Sequence, residues 1–176
     1  MSETIQINTF PALGLLRLRT LVRLRWLAVI GQSLAILLVQ FPLGFKLPIA
    51  ACLAIIAVSA WLNVFLTLRW RGSQKLSARV AGLLLAYDVL QLAGLLYLTG
   101  GLQNPFALLF LVPVTVSATS LPIIWTAALG LLALASASVL AFFHRPLPWD
   151  GAQDFSLPPL YLLGMWAAIE IGRAHV

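Results

Sequence analysis

Six long apolar runs, separated by short polar breaks, make up most of the chain. They lie at Trp26–Phe45, Leu47–Leu68, Val80–Leu98, Pro105–Leu121, Ile123–Phe143 and Leu157–Gly172. A helix needs about 20 apolar residues to cross the hydrocarbon core of a bilayer, so each run reads as one transmembrane helix. The fourth and fifth runs are divided only by Thr119-Ser120-Leu121-Pro122. Together they are too long for one span, and Pro122 supplies the break. The pattern predicts an all-α, polytopic membrane protein with a short N-terminal segment (residues 1–25), a six-helix domain (26–172) and the start of a further cytoplasmic part (173–176).

Composition agrees. The 176 residues are 61% hydrophobic and 9% charged, with mean hydropathy +1.00, whereas a soluble domain carries about a quarter charged residues. The net charge of +6 does not point to nucleic acid. The basic residues cluster at 17–25 and 69–79, beside apolar runs, which is the pattern that orients membrane helices. With the N-terminus in the cytoplasm, only Lys46 and Arg145 of the 11 basic residues fall outside, so both termini are expected inside. Trp26, Trp70 and Trp125 then mark the inner interface, and Tyr97, Trp149 and Tyr161 the outer one. The arginines of "RLRTLVRLR" (17–25) read as an anchor on anionic headgroups.

Polar residues inside the runs are candidates for a role. Asp88 lies within the third run, where a carboxylate costs about 2.5–3.5 kcal/mol on insertion scales. Gln91 follows at i+3 on the same face, and Gln32 and Asn63 fall at similar depth. The four predict a buried polar cluster acting as interhelical glue or as a contact across a dimer. A proton relay is the weaker alternative, since Asp88 stands alone as an ionisable group there. Cys52 reads as a buried small residue, and Pro113 as a kink in the fourth span. Gly164, Ala168 and Gly172, and likewise Ala133, Ala137 and Ala141, are spaced for close helix approach. His144 and His175 face opposite sides, so no metal site is expected. Nor is there a nucleophile elbow, a phosphate loop or a carboxylate pair. No duplicated halves suggest a transporter.

The turn "GGLQNPF", residues 100–106, carries the binding candidate. A glycine can cap the third helix in left-handed conformation, while Asn104 as N-cap and Pro105 at the first position start the fourth. One glycine suffices for that. The second leaves a gap without side chains, at which Phe106 points a ring. An amide donor on Asn104, an aromatic face and free space at the membrane surface suit a small planar ligand with carbonyl acceptors. On this reading Asn104→Asp leaves the fold intact and weakens binding.

The heptapeptide resembles the GGxxNPF motif of the RegB/PrrB/ActS redox-sensing histidine kinases. The surrounding "YDVLQLAGLLYLTGGLQNPFALLFLVPV" is similar to that family's third and fourth spans, and "RLRTLVRLRW" to the approach to its first. The resemblance covers essentially the entire chain. It implies six spans in the bacterial inner membrane, ubiquinone as the sensed ligand, and a homodimeric kinase signalling to a response regulator. Gly100, Gly101, Asn104, Pro105 and Phe106 match the motif and would hold the quinone, with Leu102 and Gln103 in its variable places. The family's phospho-accepting histidine box, redox cysteine and ATP-binding module have no counterpart in these residues, so the chain is expected to be a sensor domain without kinase activity of its own. Competing readings are a ligand-free anchor and dimerisation module or, behind it, a small transporter. No direct nucleic-acid partner and no metal are expected.

Overall fold

The computed structural model describes residues 18–41, 45–69, 76–145, 163–164 and 166–168. Every regular element among them is helical. Four helices are long and apolar enough to cross a membrane: α1 (Leu18–Gln40), α2 (Ile49–Arg69), α3 (Ala78–Leu98) and α5 (Ile123–Phe142). Between α3 and α5 the chain forms a 3-10 turn (Gly101–Gln103), a 3-10 helix (Pro105–Phe110) and α4 (Leu111–Ser120).

α1 departs from the expected first span. It already includes Leu18, upstream of Trp26, so Arg19, Arg23 and Arg25 lie within the helix. Uninterrupted apolarity was the wrong measure here. Leu18, Leu21, Arg25, Val29 and Ile36 are its buried residues, a helical stripe that runs straight through the basic segment while Arg19 and Arg23 stay exposed on other faces. At its other end Gln40 Oε1 accepts a hydrogen bond from the Leu47 amide (2.8 Å) and ties the connection to α2.

Local chemistry sets the remaining boundaries. Ser77 caps α3, its hydroxyl accepting from the Val80 amide at 3.4 Å. Pro122 breaks the chain between α4 and α5, and its carbonyl accepts from the Trp125 amide at the start of α5. The irregularity expected at Pro113 lies upstream, as the change from 3-10 to α winding at Leu111. Pro113 therefore falls in the first turn of α4, where a missing N–H leaves no helical bond unmade.

α3 is central, packing against α2, α4 and α5, while α1 lies on α2. Ala133 and Ala137 of α5 are buried with Val89, Leu92 and Leu96 of α3, so the small-residue stripe of α5 serves contacts within the chain. Trp125, expected as an interface marker, lays its ring directly against Gly82 of α3. Outward faces carry large apolar side chains, among them Trp61, Leu68 and Phe142, a surface suited to acyl chains rather than water. Of the expected sixth span, residues 163–164 and 166–168 are helical, and Trp166 Nε1 donates to Ser138 Oγ of α5 at 3.3 Å. The rest of that span, residues 1–17 and 173–176, Trp70, Trp149, Tyr161 and His175 lie outside the described residues.

Candidate functional site

A half-enclosed groove of about 750 Å³ runs along the bundle. One side comes from α1 (Leu24, Ala28, Ile36), the other from Phe106, Leu109 and Val112, with Leu92 and Leu95 of α3 between them. Its middle is apolar, and polar groups gather at its two ends.

At one end is Arg25. It is 4% exposed, although the sequence reading placed it on lipid headgroups. Its Nη1 pairs with Asp88 Oδ1 at 2.8 Å. Its Nε donates to Asn63 Oδ1 at 2.7 Å, and Nη2 donates to Ser59 Oγ at 3.4 Å. Its Cζ lies 5.1 Å from the centre of the Tyr87 ring, within cation–π range. Asp88 is thus the partner of a buried cation rather than an isolated carboxylate. Pairing is what makes either charge tolerable at this depth, since an unpaired one bears its full desolvation cost.

The expected cluster exists, though two unforeseen residues join it. Gln91 Nε2 donates to Gln32 Oε1 (2.9 Å), and Ser59 Oγ donates to Gln91 Oε1 (2.7 Å). Among the described residues, Gln32 and Gln91 on one side, and Asn63 and Asp88 on the other, connect through Ser59 and Arg25. The signal for Arg25 was its place on the Leu18–Leu21–Val29 stripe. Asn63 gives its oxygen to Arg25, and its buried Nδ2 finds no partner among the described residues. Burial of a polar hydrogen in that way is uncommon.

The other end is the heptapeptide turn. Gly100 (φ 101°) and Gly101 (φ 59°) both take the left-handed conformation that favours glycine. The gap expected beside the second glycine is filled by the end of α5. A Cβ on Gly101 would meet His144 Cγ at 2.6 Å and the Leu140 carbonyl at 2.9 Å. Asn104 caps the next helix as expected, Oδ1 accepting from the Phe106 amide at 3.0 Å, with Pro105 at the first position. Its amide hydrogens turn back into the turn, Nδ2 donating to Thr99 Oγ1 (2.9 Å) and to the Thr99 carbonyl (3.2 Å). Asn104, Pro105 and Phe106 line the groove. Gly100 and Gly101 are not among its lining residues and instead shape the chain behind it. Gln103 also faces the groove, and its side-chain amide is unbonded among the described residues. It is the open donor at this end.

A bundle of apolar helices with large apolar side chains outward defines an integral, multi-span membrane domain. The chain belongs to the family of PilS-like transmembrane domains, whose six-span model matches residues 9–156. Among curated proteins it is similar to the sensor histidine kinase RegB of Cereibacter sphaeroides, with 42% identity over 156 residues, covering 89% of this chain and 34% of that protein. A second RegB, from a named strain of the same species, matches over the same share of both chains at the same identity. The chain thus spans about a third of the length of these relatives. No solved structure matches it.

Proposed function

We propose that this chain is the membrane sensor domain of a homodimeric two-component histidine kinase of the bacterial inner membrane. It binds a quinone in the groove and passes the redox state of the membrane to a cytoplasmic kinase module and its response regulator. Similarity to RegB supports the kinase context. The observation that carries the ligand is the groove itself, whose apolar length suits an isoprenoid tail and whose mouth presents an aromatic face on Phe106 and an open amide on Gln103. A ligand-free anchor that does not pair through this face would leave the cleft unfilled, whereas helix bundles otherwise pack densely.

In this reading the quinone ring lies against Phe106 and accepts a hydrogen bond from Gln103, while Asn104 holds the turn that presents both. Titration of the purified chain with a short-chain ubiquinone tests it. Phe106→Leu and Gln103→Leu should each weaken binding roughly five-fold, the equivalent of about 1 kcal/mol, with thermal stability unchanged. Equal affinity in wild type and both variants would sink the proposal. The orientation, with both termini cytoplasmic, is tested by Ser77→Cys and Arg145→Cys in a Cys52→Ala background. Impermeant thiol reagent should reach the two positions from opposite sides of the membrane.

A further inference from the structure

The groove does not end at the turn. Thr99 and Asp88 are 11 residues apart along one chain segment, roughly 17 Å at the helical rise, and both line the same cleft. A ring held at Phe106 cannot touch the inner end. That end nevertheless carries its own open hydrogen-bonding groups. Asp88 uses one carboxylate oxygen, Oδ1, for Arg25. Oδ2 has no hydrogen-bond partner among the described residues, although Asp88 is only 21% exposed and faces the groove. Gln32 accepts from Gln91 through Oε1, which fixes its amide orientation and leaves Nε2 with no partner among the described residues. An ionised acceptor and an amide donor thus face one apolar cleft, each braced from behind by a buried network.

We propose that Asp88 and Gln32 form a second head-group subsite at the inner end of the groove, selective for a hydroxyl-bearing ring, which within the quinone reading above is the reduced quinol. The selectivity follows from donor and acceptor chemistry. A quinol hydroxyl donates its hydrogen to Asp88 Oδ2 and accepts at oxygen from Gln32 Nε2. A quinone carbonyl has no hydrogen to give, so it can use Gln32 alone and brings its oxygen up against a carboxylate. Hydrogen bonds to charged groups are the stronger kind. The outer turn, which offers an amide and a ring, makes no comparable demand for a hydroxyl. The two redox forms would then occupy different depths of one groove, and the inner one would bear on the Arg25–Asp88 pair that joins α1 to α3.

The test uses the full chain in lipid nanodiscs and a photoreactive short-chain quinone, applied either oxidised or held reduced with dithionite, followed by identification of the labelled peptides. The reduced probe should label segments of α1 and α3 around Gln32 and Asp88, and the oxidised probe the turn. Asp88→Asn should lower quinol affinity about ten-fold and Gln32→Leu about five-fold, with quinone affinity unchanged in both. Gln32→Leu disturbs no charge and decides the matter if Asp88→Asn unfolds. Labelling by both forms at the turn only would overturn the inner subsite and leave the quinone reading standing. Equal losses for both forms would overturn its selectivity. No labelling anywhere would remove the quinone reading and this subsite together.

Discussion

At the outer end of the groove, the residues from Thr99 to Phe106 hold one another by short-range bonds, and the longest side-chain reach there is five positions. At the inner end, Arg25, Ser59, Asn63, Asp88, Gln91 and Gln32 come from three helices, and the bonds among them span 32 to 63 positions. The outer end is a backbone conformation with a few side chains set on it. The inner end is a charged network that exists only once the bundle has closed. Damage at the first should stay local, whereas damage at the second leaves buried partners stranded on neighbouring helices. Effect sizes should therefore differ between the two ends.

The largest loss is expected at Arg25. Arg25→Met removes the cation and leaves Asp88 and the Asn63 side chain without their partner, which for a buried pair costs about 3–5 kcal/mol. Thermal unfolding in detergent should show it clearly, while exposed Arg23→Met stays within about 0.5 kcal/mol of wild type. The double variant Arg25→Met with Asp88→Leu should recover much of the loss, because an apolar replacement of a whole buried pair is often neutral. A double variant as weak as the sum of the singles would mean that the pair is not coupled, and the contrast between the two ends would collapse.

That contrast also explains what could be read from the sequence. The turn was legible because its chemistry is contiguous: paired glycines, then Asn104 and Pro105, state a left-handed cap and a helix start without reference to the rest of the fold. The existence of a polar cluster was legible too, since Asp88, Asn63, Gln32 and Gln91 are all anomalous in apolar runs. Its key residue was not. Arg25 sits among other arginines beside a membrane span, where a cation is ordinary, and only the burial stripe of α1 distinguishes it from Arg23. The gap beside Gly101 was misread for a related reason, because a glycine announces close approach without naming what approaches. Here it is His144, more than forty residues onward.

Gly101 supplies the next test. Alanine there must adopt φ near 59° and place a methyl group against His144 and the Leu140 carbonyl. Left-handed strain and overpacking together should cost on the order of 2–4 kcal/mol. Gly31, in the middle of α1, has nothing within 4 Å of the position of an added Cβ. Gly31→Ala should therefore be neutral or should stabilise by up to about 1 kcal/mol through helix propensity. Relief of the Gly101→Ala loss by His144→Gly, which removes the ring and also the Cβ that lies 2.7 Å from the added methyl group, would identify close approach of that side chain as its source. No relief would assign the loss to the left-handed backbone together with the Leu140 carbonyl.

The smallest expected effect is at Asn104, and it separates two jobs that the same amide performs. Serine keeps an oxygen that can accept from the Phe106 amide, so the cap survives, but it cannot reach Thr99 as an amide donor. That loss should be about 1 kcal/mol. Aspartate also keeps the cap, yet it turns an acceptor toward the Thr99 carbonyl, where the structure has a donor. Asn104→Asp should thus be less stable than Asn104→Ser, contrary to the expectation from the sequence that aspartate leaves the fold intact. Measured in detergent without added quinone, the order cannot arise from lost ligand. Thr99→Val removes the hydroxyl partner and leaves the carbonyl, so it should shrink the cost of Asn104→Ser while the penalty for aspartate persists. If serine and aspartate prove equally stable, the bond to Thr99 is not what holds the turn. Asn104 would then be a plain helix cap whose amide is free to face the groove.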